Sequence, residues 1–217
     1  MRRQAIERIR QAVWQMRSTE DIHTVLQVLQ AELRQLGIVY QALGVNLIDL
    51  GTEEVTARYR ACSLPGEERW IFWNEQKAGT RRGAIIDFWK GRKVAYRPDL
   101  HLEDLYGERV WADRHPGWPA RCVLDVPFSH GTLALNSPLP DAFSPEDIQT
   151  IQEIAGVLSQ GFLRLEDLRA LEQRAQEAEA LSATLKASTQ RLELLVDLSR
   201  SIAATLDLDS LLQQTLA

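Results

Sequence analysis

The stretch Val123–Ser137, VLDVPFSHGTLALNS, decides the fold. Apolar residues alternate on both sides of His130-Gly131, so it reads as two short strands joined in a hairpin. With His130-Gly131 as a two-residue turn, Phe128 faces Leu133, Val126 faces Leu135 and Asp125 faces Asn136. The large apolar side chains then share one face, and Asp125, Pro127, Ala134 and Asn136 share the other. A three-residue turn would set Asp125 against Leu135, and register follows the hydrophobic pattern. The aspartate needs an explanation. An unpaired buried carboxylate costs several kcal/mol or is driven to neutrality. Either that face is wet, or a positive or hydrogen-bonding partner stands there.

Upstream, YQALGVNLIDL (residues 40–50) alternates in the same way, with Leu43, Val45 and Leu47 on one side and Ala42, Gly44 and Asn46 on the other. After a turn at Gly51-Thr52, EVTARYRACS sets Val55, Ala57, Tyr59 and Ala61 against Thr56, Arg58, Arg60 and Cys62. Each strand therefore has an apolar face and a small or polar face. By this pattern Asn46, Arg58 and Asp125 share the mixed side of one sheet.

Between the strand pairs runs a long segment, residues 64–121, holding five of the six tryptophans. ERWIFWNEQ and GAIIDFWKG read as helical, KVAYR as a short strand, and the remainder as irregular. A segment of that length inside a domain is commonly a lid or pocket wall; a small second core packed with tryptophan is the structural alternative.

Two amphipathic helices precede the strands. The first carries Ile6, Ile9, Val13 and Met16. The second starts at Ser18 or Thr19 with Asp21 placed for a capping box, carries Ile22, Val25, Leu26, Leu29 and Leu33, and ends at Gly37. Downstream, DAFSPEDIQTIQEIAG opens a helix with Ser144 as N-cap, Pro145 at the first turn and Asp147 closing the box. From there to about Thr205 no proline interrupts. At 1.5 Å per residue this is roughly 90 Å, beyond the roughly 35–40 Å of a compact domain this size. Ala178, Leu181, Leu185, Ser188, Leu192 and Leu195 keep coiled-coil spacing, which predicts a parallel homodimer through this helix, or an intramolecular hairpin. The last residues align with the first: Leu192 with Ile6, Leu195 with Ile9, Thr205 with Thr19, Asp207 with Asp21. They read as the opening of a second copy of the same domain. The expected organisation is a domain at 1–163, a coiled-coil linker at 164–198 and the start of a second domain at 199–217.

The 217 residues carry a net charge of -5 and are 45% hydrophobic. No basic stripe is present, so nucleic acid is not an expected partner. No run of about 18 apolar residues exists, so no membrane span is expected. Two cysteines occur, Cys62 and Cys122; they form no CxxC pair and suggest no disulfide framework, so a reducing, cytoplasmic setting is expected. No phosphate-binding glycine loop, HExxH or GxSxG occurs.

The order helix, helix, strand, strand, long crossover, hairpin and exit helix resembles a GAF domain over about Ile6–Leu165. RCVLDVPFSHGTLALNS and DAFSPEDIQTIQEIAGVLSQGF are similar to that family's last strand pair and C-terminal helix. The resemblance implies an α+β fold: an antiparallel sheet in the order 2-1-5-4-3, helices on one face and a lidded small-molecule pocket on the other. It implies a sensor that relays a signal through its exit helix to an output domain such as a histidine kinase, and not an enzyme. Cys62 and Cys122 are not followed by histidine, unlike the bilin-attaching cysteines of the family. The Asn-Lys…Phe…Asp-Glu pattern of cyclic-nucleotide binders is missing. His101 and His115 lack metal spacing, so no metal is expected and no cofactor can be named.

For the pocket, the expected ligand-binding residues are Asn46, Arg58, Asp125 and Asn136 from the sheet, and Trp70, Trp73, Asp87 and Tyr96 from its cover, an aromatic wall with a few polar groups. The structural alternative pairs Asp125 with Arg58, Arg60 or Arg121, and leaves Asp87 on a solvent face. Two further classes stay open: a ligand-free dimerisation or spacer module, and a free methionine sulfoxide reductase acting through Cys122.

Overall fold

The computed structural model describes the backbone of residues 1–50, 56–63, 70–77, 84–109 and 119–215, and the side chains of residues 1–50, 84–109 and 119–203. The expected turn at Gly51-Thr52 and residues Trp111, His115 and Trp118 lie outside them. By contacts the chain divides into two units, Met1–Glu166 and Asp167–Ala217.

In the first unit, helices α1 (Arg2–Gln15) and α2 (Ile22–Gln35) follow from their apolar stripes; Ile9, Val13, Val25, Leu26, Leu29 and Leu33 are buried. Between them Ser18 N–H donates to Asp21 Oδ2 at 2.9 Å, capping the entry. Arg8 donates through Nε and Nη2 to the buried Glu32 and ties the pair. Gly37, at φ 77°, ends α2 as Ile38 N–H turns back to the Leu33 carbonyl.

Strands β1 (Ala42–Asp49), β2 (Thr56–Ser63), β3 (Trp70–Lys77), β4 (Ala95–Arg97), β5 (Cys122–Phe128) and β6 (Gly131–Ser137) form one antiparallel sheet, ordered β3-β2-β1-β6-β5-β4. Without β3 this is the order the resemblance implies. The extra edge strand corrects the helical reading of ERWIFWNEQ. WIFW is aromatic and β-branched, suited to a pleated surface, and so short a run satisfies helical and strand spacing alike.

The hairpin register also needs correction. Phe128 pairs with Gly131, Val126 with Leu133, Asp125 with Ala134 and Val123 with Asn136, so Ser129-His130 makes the turn. The slip is two residues and leaves both faces intact. Its cause is Gly131. A Cβ there would collide with the Asn46 carbonyl of β1, so the glycine belongs in the strand, under its neighbour, and not in the turn.

One face of the sheet is dry. Leu43, Val45, Leu124, Val126, Leu133 and Leu135 pack with α1, α2 and the start of α4 (Pro145–Thr215), whose Ile151, Ile154, Leu158, Phe162 and Leu165 are buried. The N-cap of α4 is as read: Ser144 N–H donates to Asp147 Oδ2 at 2.9 Å, and Asp147 N–H to Ser144 Oγ at 3.2 Å. Gly161 of α4 faces the Val13 side chain of α1, with no room for a Cβ. The other face is crossed by α3 (Ala84–Gly91).

In the second unit the helical residues carry Leu181, Leu185, Leu192 and Leu195, each more than half exposed. No described helix is long and apolar enough to cross a membrane.

Candidate functional site

Alternation puts Asn46 of β1, Thr132 of β6, Asp125 of β5 and Arg97 of β4 on the face under α3. All four are buried. Thr132 Oγ1 donates to Asp125 Oδ1 at 2.9 Å, and Asn46 Nδ2 donates to Thr132 Oγ1 at 2.9 Å and more weakly to Asp125 Oδ1 at 3.4 Å. Arg97 Nη2 donates to Asp125 Oδ2 at 2.6 Å. Both carboxylate oxygens are therefore engaged, and the charge is paired. This is the partner that the aspartate required, and it is Arg97; Arg121 instead forks onto Asp99.

Arg97 uses its remaining donors nearby. Nη1 donates to its own strand's Ala95 carbonyl at 2.6 Å, while Nε and Nη2 donate to the Glu108 carboxylate at 2.8 and 2.7 Å. One buried cation thus serves two carboxylates. Burial alone would lower the Arg97 pKa; Asp125 and Glu108 outweigh it and raise it. Burial pushes the Glu108 carboxyl upward, Arg97 opposes that, and Asp125 adds to it.

Above the guanidinium lies Phe88 of α3, its ring centroid 5.0 Å from Arg97 Cζ, and Tyr106 meets Phe88 edge-on at 5.0 Å. The next residue, Trp89, donates from Nε1 to the Ser129 carbonyl at 3.1 Å. Ser129 is bonded in turn to α4: its N–H donates to Ser159 Oγ at 2.9 Å and its Oγ to the Ser159 carbonyl at 3.3 Å. His130 Nε2 pairs with Glu166 at 2.9 Å, and the His130 carbonyl accepts from Ile48 N–H of β1. The hairpin tip thus joins the helix covering the mixed face to the exit helix.

The expected site residues are only partly assembled. Asn46 and Asp125 stand together in the network. Asn136 lies on the same face, opposite Ala42 and Val123, and its Oδ1 is buried without a hydrogen-bond partner among the described residues. In the backbone register Arg58 stands opposite Leu47 and Tyr59 opposite Asn46. Trp73 pairs with Tyr59 and Trp70 with Cys62. Asp87 is exposed on α3. Tyr96 pairs with Leu124 and packs on the core beside Phe143, so it belongs to the dry side. Burial, then the contact with Cys122, pushes its hydroxyl up to about 12. Cys122 is itself a buried core residue, its thiol pKa raised by burial, which disfavours the thiolate that redox chemistry uses. Among the described residues no group of three His, Cys, Asp or Glu could hold a metal ion.

Arg97 and Glu108 escaped the sequence reading. Arg97 could have been found: it ends KVAYR, two residues from Ala95, and an edge strand beside β5 would bring one of its side chains to Asp125. Glu108 carried no periodic signal.

No family model and no curated protein matches the sequence. Solved structures do. The chain is similar to the GAF domain of an Acinetobacter phosphoenolpyruvate-protein phosphotransferase, with TM-score 0.55 at 12% identity over 77% of this chain and 95% of that one. It is similar to a free methionine-R-sulfoxide reductase of Neisseria meningitidis in complex with its substrate, with TM-score 0.53 at 16% identity over 77% and 91%. It is also similar to the GAF domain of a two-component sensor histidine kinase of Bacillus halodurans, with TM-score 0.50 at 12% identity over 72% and 99%.

Proposed function

We propose that this chain, whose fold is GAF-like, is a regulatory input module that senses a small molecule on the mixed face of its sheet and passes the change to the helix α4. The observation that carries this is the unbroken contact series from Arg97 through Phe88 and Trp89 to Ser129, and from Ser129 to Ser159. A ligand that binds one arrangement of the cover better than another shifts the population of the two. Such a shift would reach α4 through the hairpin tip. The buried Asn136 Oδ1 on that face, without a partner among the described residues, favours a ligand with a donor group, since a buried acceptor left unmade costs about 1–3 kcal/mol.

The exposed leucines at coiled-coil spacing support a parallel homodimer through residues 164–198, with residues 199–217 opening a second domain of the same kind. The output then lies in another domain; the Bacillus neighbour is part of a sensor histidine kinase, and a kinase is the output we propose first. The buried Cys122 thiol argues against the reductase reading. A second reading, the ligand-free spacer, is favoured by one observation: Asp125 is already fully paired.

Hydrogen exchange of the full chain, with and without a small-molecule cell extract, separates the two. The sensor reading expects changed protection in β5–β6, in α3 and in residues 145–166 together. Unchanged exchange in all of them with every extract overturns it and leaves the spacer.

A further inference from the structure

The partners of Arg97 are unequal. Asp125 lies on a central strand, 1% exposed, held by three side chains from three strands. Glu108 lies beyond β4, where residues 108 and 109 are helical; its side chain is 26% exposed, and both its oxygens are held by Arg97. Asp104 Oδ1 accepts Glu108 N–H at 2.8 Å and Oδ2 accepts Arg109 N–H at 3.2 Å, so this stretch carries its own turn. Among the described residues one cation stands between two carboxylates, with Glu108 the outer one and the surplus charge.

We propose that Glu108 is a built-in stand-in for a ligand carboxylate: the Nε–Nη2 edge of Arg97 is an exchangeable binding site for a small carboxylic acid with an apolar or aromatic body, and Glu108 closes it when that acid is absent. This rests on the sensory reading of the mixed face and names its ligand class. A planar carboxylate reproduces both hydrogen bonds that Glu108 gives up. It also leaves the charge of the cluster unchanged, so the exchange needs no new countercharge. A phosphate dianion would add charge beside Asp125. Phe88, already over the guanidinium, and Tyr106, edge-on to Phe88, supply the wall for an apolar body. Displacement of Glu108 frees its segment, which makes the site a switch as well as a receptor. A tethered competitor acts like a ligand at roughly millimolar effective concentration, so it weakens every external carboxylate by a constant factor.

Benzoate is the probe. Calorimetric titration is expected to give at least tenfold tighter binding to Glu108→Ala than to the wild type, no binding of the neutral benzamide, and loss of benzoate binding when Arg97→Lys is added, because lysine keeps the charge and removes the fork. If Glu108→Ala does not fold, Glu108→Gln takes its place with the same expectation. Absence of benzoate binding to the folded variant, equal binding to variant and wild type, or phosphate binding as tight as benzoate each overturns the proposal. If benzoate fails here while an extract moves the exchange of residues 145–166, the carboxylate site falls and the sensor reading stands. The converse result keeps the site and removes the relay.

Discussion

Trp89 Nε1 donates to the carbonyl of Ser129 at 3.1 Å, and this bond fastens the cover of the mixed face to the turn of the β5–β6 hairpin. Trp89→Phe keeps a ring and removes the donor. The expected loss of stability is about 0.5–1.5 kcal/mol, that of one neutral hydrogen bond. The expected loss of coupling is larger: exchange protection in residues 145–166 no longer follows changes made at Glu108 or Arg97. Denaturant melts and hydrogen exchange on the same variant distinguish the two effects.

Among the described residues Asp125→Ala leaves buried Arg97 with the Glu108 carboxylate alone. The cation stays compensated, but the buried Thr132 hydroxyl loses its acceptor, and a buried group left unsatisfied costs about 1–3 kcal/mol; the urea midpoint should fall accordingly. A change below about 1 kcal/mol would mean that the pair is solvated in the native state.

Acid should loosen the base of the long crossover. The Arg121 fork, then the His101 N–H, hold Asp99 at about 2, below the ordinary carboxylate value near 3.9. A depressed pKa gives stability that is fully present above about pH 4 and is lost as pH falls through 2. The melting temperature of Asp99→Asn should therefore fall less steeply than that of the wild type between pH 4 and 2, from a lower starting value at neutral pH.

Gly161→Ala tests the seam between α1 and the exit helix. Alanine favours helix over glycine by roughly 0.5–1 kcal/mol. Overpacking against Val13 costs about 1–3 kcal/mol, and the clash should win. The effect should shrink in a Val13→Ala background, a coupling that a double-mutant cycle reads directly.

Alternation in YQALGVNLIDL and in VLDVPFSHGTLALNS made the two faces of the sheet legible, because burial on one side imposes a period of two. The cap at Ser144 was legible for a local reason: its hydrogen bonds stay within four residues. What escaped depended on distant neighbours. Gly131 looks like a turn glycine until β1 lies across it, and only then does the Asn46 carbonyl fix the register. The partner of Asp125 escaped for a related reason. Several arginines were available, and the choice rests on which edge strand pairs with β5 and in what register. In β2 the apolar row of Ala57, Tyr59 and Ala61 predicted pairing with Leu47, whereas the backbone register sets Arg58 opposite Leu47 and Tyr59 opposite Asn46. Trp70–Lys77 was ambiguous because aromatic residues serve helix and strand windows equally well at that length.

The most direct test of a dimeric, ligand-carrying sensor is a native mass spectrum of the full chain purified from the cells that make it. The account predicts a species at twice the 24.6 kDa chain mass that carries an additional small-molecule mass. A monomer without added mass would contradict it.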